Sequence, residues 1–269
     1  WHDGDEESNT AESALLSIDS QAIDRTSISD ASEAVVLSRD GQRWLMPEYH
    51  GLPVDSAKLG RLTNELPALS RGWPVVSSAG AAARFEVADD SFQRRIEFSG
   101  GGNAAATLYL GSSPGFRKVH TRIAGDDNVY AVEFNAFDVP AQAVEWLDKT
   151  LLQTSDMQFV NGLDYHLTLE GESWMGVDGK APQQSEVDNL LNGLTSLRVT
   201  AAADIATATI LDEMNAPPTI VVTTLDYELE YRLFEIGDAY YIQRADIPVF
   251  FSLSSFDYDR LNNVSSATL

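Results

Sequence analysis

The short pattern with catalytic spacing is Gly111-Ser112-Ser113-Pro114-Gly115, which reads G-x-S-x-G. In a hydrolase that pattern makes a sharp strand-to-helix turn that lifts a serine nucleophile, and the next backbone N–H helps to build an oxyanion hole. A β-type run precedes it here. The residue after Ser113, however, is Pro114, which has no N–H to give, and Phe116-Arg117-Lys118-Val119-His120 continues as a strand. The pattern is therefore read as a turn between strands, and no catalytic residue is assigned. The four histidines, His2, His50, His120 and His166, show neither H-E-x-x-H nor an i, i+4 pair, so a zinc protease is unsupported. His120 and His166 fall in alternating β runs and are expected as half-exposed strand residues. Asp89-Asp90 and Asp126-Asp127 lie at polar turns, and Asp178-Gly179 lacks the earlier acids and later Glu of a calcium loop, so no metal is assigned. Ser99-Gly100-Gly101-Gly102-Asn103 is followed by no Gly-Lys-Ser/Thr and opens no helix, so it reads as a hairpin loop and no cofactor is assigned.

Composition limits what these residues can serve. The 269-residue chain carries 41 acids against 18 bases, a net charge of -23 that repels phosphate backbones, so nucleic-acid binding is excluded. With 43% apolar and 9% aromatic residues it can bury real cores. There is no cysteine for disulfides or thiol chemistry, and the longest uncharged stretch, 99–116, is broken by glycines and Pro114 and cannot span a bilayer. Only four of the bases are lysines, a balance that suits salty surroundings or an extracytoplasmic compartment. A chain that opens on Trp1 is expected to have been cut from something longer, with a leader or anchor upstream. Nine acids and the single base Arg25 among residues 1–33, interleaved with Ser and Thr, read as an acidic tail or tether over residues 1–32.

Behind that tail the chain repeats itself. Val35-Val36-Leu37-Ser38-Arg39-Asp40-Gly41-Gln42-Arg43-Trp44 sets two β-type runs around an Asp-Gly turn, with Trp44 on the second arm. Leu167-Thr168-Leu169-Glu170-Gly171-Glu172-Ser173-Trp174 puts Trp174 in the same place 130 positions on. Leu59, Leu62, Leu66 and Leu69 then carry helical spacings that Val187, Leu190, Leu194 and Leu197 repeat at a constant offset of 128. The first helix opens at Asp55 or Ser56 and is expected to end or kink near Glu65, because Pro67 cannot donate; the second opens at Ser185, with Asp188 at capping-box spacing. Val119-His120-Thr121-Arg122 returns as Tyr241-Ile242-Gln243-Arg244, Val129-Tyr130-Ala131-Val132 as Val249-Phe250-Phe251-Ser252, and Phe137-Asp138 as Phe256-Asp257. An ordered series of this kind reads as duplication with small loop deletions.

Each unit is read as hairpin, helix and about four β-type runs. These fall near 84–87, 92–98, 107–110 and 119–132 in the first unit, and near 207–211, 219–225, 228–235 and 239–251 in the second. A further helix opened by Asp138 and Pro140, with Val144, Leu147 and Leu151, is expected to bridge them. The expected fold class is α+β: two tandem similar units, 33–152 and 153–269, each a mostly antiparallel β-sheet with one packed helix. Trp44, Trp174, Arg122 and Arg244 sit at matching places, which points to core anchors for the tryptophans and ion pairs for the arginines.

The succession of Trp44, the helix with Leu62 and Leu66, Thr107-Leu108-Tyr109-Leu110-Gly111, Arg122, Asn128-Val129-Tyr130 and Trp146-Leu147-Asp148-Lys149-Thr150-Leu151-Leu152 resembles domain of unknown function 4340 over residues 33–200. The resemblance implies an auxiliary extracytoplasmic component encoded with ABC-type transporters, some of them linked to gliding motility. It further implies a periplasmic location and an N-terminal anchor in the inner membrane, and it supplies no catalytic residues. The leading expectation is a non-enzymatic module that contacts a membrane transporter or another envelope protein through exposed strand edges, without nucleic acid, and meets the membrane only through that anchor. The competing expectation is a small ligand or polymer held in a cleft between the repeats near Trp146 and Tyr165.

Overall fold

Two glycine turns start the two halves of the protein. In the computed structural model, which describes residues 13–78, 80–176, 179 and 181–269, Gly41 and Gly171 take φ values of 60° and 66°, a region L side chains avoid. Each folds a tryptophan-bearing arm back onto its partner, pairing Arg39 with Trp44 and Leu169 with Trp174. The chain divides into units Trp1–Asp148 and Lys149–Leu269, a boundary four residues earlier than the expected 152/153.

The first unit holds β1 (Arg25–Ser29), β2 (Ala34–Asp40), β3 (Arg43–Met46), β4 (Leu52–Pro53), α1 (Ser56–Gly60) and α2 (Leu66–Ala68). It continues with β5 (Val76–Ser77), β6 (Val87–Ala88), β7 (Ser91–Phe92), β8 (Arg94–Gly100), β9 (Asn103–Leu110), β10 (Val119–Ile123) and β11 (Asn128–Val132). Nine of these strands form one sheet in the order β4-β3-β2-β1-β8-β9-β10-β11-β5, and β6 and β7 make a separate small hairpin. Alternating residues Ile28, Ile96, Phe98 and Leu108, together with Leu62 and Leu66 from the helical segment, are fully buried. At about 2 kcal/mol per buried large apolar side chain, this face is what holds the sheet together.

The second unit holds β12 (Met157–Asn161), β13 (His166–Glu170), β14 (Ser173–Gly176), α3 (Gln184–Thr195), β15 (Val199–Ala202) and α4 (Ile205–Glu213). It ends with β16 (Ile220–Thr224), β17 (Glu228–Ile236), β18 (Ala239–Arg244), β19 (Ile247–Leu253) and α5 (Ser255–Asn262). Its sheet runs β14-β13-β12-β16-β17-β18-β19-β15. Val187, Leu190, Leu194 and Leu197 are buried as the helical spacing requires, and Tyr231 lies fully inside with its hydroxyl donating to the Leu152 carbonyl at 2.9 Å. The protein is α+β with antiparallel strand pairs throughout the described sheets, and no described helix is long and apolar enough to cross a membrane.

Several local expectations need correction. Residues 13–32 are not a solvated tether: β1 lies between β2 and β8, and Leu15, Leu16, Ile23 and Ile28 are buried. The acids of this stretch go to turns instead. Asp19 accepts from the Gln21 N–H, Asp24 from Gly101, and Asp30 from Ser32 and Glu33, which frees the apolar residues to point inward. The first twelve residues of that expected tail lie outside the described residues. Asp55 does cap α1, accepting from the Ala57 and Lys58 N–H groups, but the helix passes Glu65. A π-helical turn over Arg61–Glu65, in which the Leu66 N–H reaches the Arg61 carbonyl, places Pro67 in the first turn of α2, where its missing donor is not needed.

The helix expected from Asp138 is replaced by short 3₁₀ turns at Ala136–Asp138 and Ala143–Trp146. Its backbone is used elsewhere: Val54 bridges Leu147, the Asp55 N–H donates to the Trp146 carbonyl, and the Asp148 N–H donates to the Pro53 carbonyl. The Thr/Ala/Ile run at 207–211 is helix α4 rather than strand, because Asp204 caps it through the Thr207 N–H at 2.9 Å. Residues 83–85 form a 3₁₀ turn and only Val87–Ala88 pair as strand. Ser185 lies inside α3, which begins at Gln184 without a side-chain cap.

Candidate functional site

The G-x-S-x-G turn closes the hairpin of β9 and β10, whose ladder extends one step past the strands: the Gly111 N–H donates to the His120 carbonyl and the His120 N–H to Ser112, both at 2.9 Å. Gly111 has to be glycine, since a Cβ there would sit 2.1 Å from the Phe85 carbonyl oxygen. Beyond that base, residues 113–118 stand out as a loop held by its own serine. The Ser113 hydroxyl lies 2.7 Å from the carbonyl oxygens of both Gly115 and Lys118, and the Lys118 N–H returns to Gly115 at 3.2 Å. Arg117 is held at φ 54°, a left-handed conformation that costs about 1 kcal/mol or more for a residue with a side chain. The product of this geometry is Phe116, 90% exposed, with the Arg117 guanidinium 5.6 Å from its ring.

His120 is buried rather than half-exposed. Its ring packs 4.5 Å from Phe85, and its Nδ1 lies 3.1 Å from the Ser112 hydroxyl, which also reaches the Phe85 carbonyl at 3.2 Å. Burial pushes its pKa below the ordinary imidazole value, against a smaller opposing effect of the bond to Ser112. The histidine thus partners Ser112, while the motif serine, Ser113, is committed to the loop.

Beside the loop lies a hollow of about 900 Å³ whose lining includes Phe92, Arg94, Phe116, Lys118, Phe134 and Phe137. Phe137 is 84% exposed and stands on the 3₁₀ turn fixed by Asn135, whose Oδ1 accepts the Phe137 N–H at 3.2 Å. Arg94 anchors the floor, with Nε donating to the Val139 carbonyl at 3.1 Å and Nη1 to Asp30 Oδ2 at 3.2 Å. Burial works to raise the Asp30 pKa, but hydrogen bonds from Ser32 and Glu33 and the charge of Arg94 outweigh it and hold the carboxyl below its usual range. The lining thus holds three bases, Arg94, Arg117 and Lys118, against one acid, Asp30. Arg94 is spent on Asp30, whereas Arg117 and Lys118 make no ion pair with a described residue. Concave, largely apolar with four phenylalanines in its lining, and edged by two cations without an ion partner among the described residues, the hollow can take an apolar group that carries negative charge. No group of three potential metal ligands occurs among the described residues.

Of the residues singled out from sequence, Arg122 has the densest surroundings. Its Nε donates to the Val87 carbonyl at 2.7 Å, Nη1 to the Asp126 carbonyl at 3.3 Å and Nη2 to Asp89, and the guanidinium lies 4.7 Å from the Tyr109 ring. The Arg122 and Tyr109 hydrogen bonds hold the Asp89 carboxyl below its usual pKa. Arg244 makes a local fork with Asp246, Nε at 2.6 Å and Nη2 at 3.0 Å. Trp44 is half-buried with the Arg39 guanidinium 5.9 Å from its ring, and Trp174 is half-buried on β14. The structure does not gather these into a site, since Trp44 and Arg122 lie five strand positions apart, about 24 Å at the usual strand spacing, as do Trp174 and Arg244. Trp146 is fully buried, its indole N–H donating to the Pro140 carbonyl at 2.8 Å, and Tyr165 is buried with its hydroxyl pKa raised by desolvation. Neither offers a face to a ligand. What sequence reasoning passed over is Phe116, Arg117, Lys118 and Phe137; the available signal was a Phe-Arg-Lys run beside Gly and Pro, an apolar ring in a turn where no core can receive it.

No curated protein and no solved structure matches the chain. A family model matches residues 44–215, from Trp44 on the first hairpin, through the 113–118 loop, to just past α4. Over that span, well beyond half of its length, the chain belongs to the family described as a domain of unknown function, DUF4340.

Proposed function

We propose that this protein is a non-enzymatic interaction module that works outside the cytoplasm as an accessory part of an ABC-type transporter complex. The family resemblance adds that it is held at the inner membrane by an N-terminal anchor. The transporter context comes from the family resemblance; the observation that carries the binding reading is the pair of phenylalanines, 90% and 84% exposed, that line one hollow beside the serine-clasped loop. Large exposed apolar side chains grouped on one face mark contact surfaces in proteins that otherwise keep such groups inside. We further propose that the two units descend from one duplicated unit. In support, β3-β2-β1-β8-β9-β10-β11-β5 corresponds strand by strand to β14-β13-β12-β16-β17-β18-β19-β15, with Trp44 and Trp174 on matching arms.

The test is chemical crosslinking and affinity capture of the full-length anchored protein from its native host, with mass spectrometry of what accompanies it. Recovery of an ABC permease or ATPase is the expected result, and a partner-free capture overturns the proposal. A small-ligand reading is favoured by one observation, the volume of about 900 Å³, which lies in the range of ligand pockets. A ligand at one hundred times its dissociation constant would add about 2.7 kcal/mol of stability, which a thermal-shift screen with sugars, peptides and small carboxylates detects.

A further inference from the structure

We infer that the hollow beside the 113–118 loop docks an acidic segment of the partner protein, one in which carboxylates flank an aliphatic or aromatic side chain. The inference rests on the interaction-module reading above and specifies what that face takes. Its ground is charge. In a chain with 41 acids and 18 bases, the charges of this lining that have no ion partner among the described residues are both cations, Arg117 and Lys118, because Arg94 and Asp30 neutralise each other. Long-range attraction to so acidic a surface would favour basic partners everywhere and single out no face, and it is screened within about 8 Å at physiological salt. At contact range the free groups of the hollow itself decide. A basic segment seated there would set like charges against Arg117 and Lys118, while an acidic one pairs with them.

The apolar half of the requirement comes from Phe116 and Phe137, whose rings are presented rather than packed. The Arg117 guanidinium lies beside the Phe116 ring, so a partner side chain that covers the ring brings its neighbouring carboxylate to the cation. Orientation follows from the adjoining smaller hollow of about 340 Å³, which shares Arg117, Phe134 and Asn135 and is otherwise edged by Arg61, Glu65, Leu69, Glu133 and Asp138; Arg61 pairs with Asp138, which leaves Glu65 and Glu133 without an ion partner among the described residues. The carboxylates of the partner therefore sit on the Lys118 side, and its chain turns away before the acidic side. Preorganisation supports the same reading: the Ser113 clasp and the left-handed Arg117 backbone set the loop backbone from which ring and cation project before any partner arrives.

The experiment places p-benzoylphenylalanine at position 116 or 137 of the full-length protein in native membranes, with position 205 on α4 of the second unit as an exposed reference, and maps photo-adducts by mass spectrometry. Adducts from 116 and 137 should map to a partner segment with Asp or Glu beside an apolar residue. Arg117→Asn combined with Lys118→Gln should lower their yield about tenfold, and Arg117→Lys should retain most of it. Asparagine tolerates the left-handed backbone at 117, so the double variant keeps its fold, checked by an unchanged thermal midpoint. Adducts that map to a basic or uncharged segment, to lipid or to a small molecule, or yields that the double variant leaves unchanged, overturn the inference. Loss of adducts at 116 and 137 while position 205 or bulk crosslinking still captures the partner overturns the inference and spares the module reading. Absence of a partner by every route overturns both.

Discussion

The connection between β9 and β10 in the first unit runs through residues 111–118, while its counterpart between β17 and β18 in the second is the two-residue turn Gly237-Asp238. The strands on either side pair in the same antiparallel way. One frame thus carries a loop with a clasp, an exposed ring and two cations without an ion partner among the described residues, and the other carries nothing but a reversal. A second contrast points the same way. Phe137 and Phe256 fall at corresponding places and both are exposed, but Phe137 opens onto the hollow whereas Phe256 has the Arg260 guanidinium 5.2 Å from its ring. Loops on a rigid scaffold are where binding surfaces are added at least cost to the core, and this connection is such a loop.

The sharpest way to break this contrast is Gly111→Val. The new Cβ would meet the Phe85 and Glu86 carbonyl oxygens at 2.1 and 2.5 Å, backbone atoms that cannot step aside. A loss of at least about 3 kcal/mol is expected, confined to the first unit. Hydrogen exchange should show β8–β11 losing protection while β16–β19 keep theirs; equal loss in both would mean the units do not respond separately. Next is the pair Arg122→Met and Arg244→Met. Arg122 ties β10 to the Val87 and Asp126 carbonyls and to Asp89, whereas the ion pair of Arg244 is with Asp246 two residues on. The first should cost about 2 kcal/mol, since it strands a buried carbonyl, and the second less, since its Asp246 partner is exposed and turns to water when the guanidinium is removed. Equal urea midpoints would erase the distinction.

His120 and Ile242 occupy matching strand places, so pH provides a third comparison. Burial favours neutral His120 in the folded chain, while the unfolded chain takes up a proton at the ordinary value of 6.5. The contribution is therefore present above pH 6.5, declines as pH falls through that value, and levels off below the lowered folded value. His120→Gln should remove that part of the acid sensitivity of the first unit; a urea-unfolding profile between pH 5 and 8 identical to the parent would contradict the assignment. The smallest effect is expected from Ser113→Ala, about 1 kcal/mol felt only by the loop. Amides of residues 115–118 should exchange faster at an unchanged thermal midpoint. A hydrolytic activity abolished by this substitution would instead restore Ser113 as a nucleophile.

Much of the frame was legible because its signals are local. The Gly41 and Gly171 turns, the paired Trp44 and Trp174 arms and the buried faces of Leu62, Leu66, Val187 and Leu190 all follow from spacing and turn chemistry. The strand that precedes each hairpin was not. β1 and β12 are five residues each, and β1 hides among acids whose turn-capping roles appear only when Gly101, Ser32 and Glu33 are brought to them by the fold. Helix α4 was misread because its Thr and Ile are β-formers, and one capping aspartate, Asp204, outweighed them. The candidate site was least legible. The motif drew attention to Ser113, whose hydroxyl bonds are to its own loop, while Phe116 looked like strand until the Gly115–Lys118 bridge closed the loop beneath it.

The most direct measurement replaces residues 113–118 with Asn-Gly, joining Ser112 to Val119 as a two-residue turn like that of the second unit, and repeats capture of the full-length anchored protein from native membranes. The binding account predicts that the thermal midpoint stays close to that of the parent while partner recovery falls to background. Undiminished recovery from a folded, loop-less protein would contradict it and move the contact surface elsewhere on the molecule.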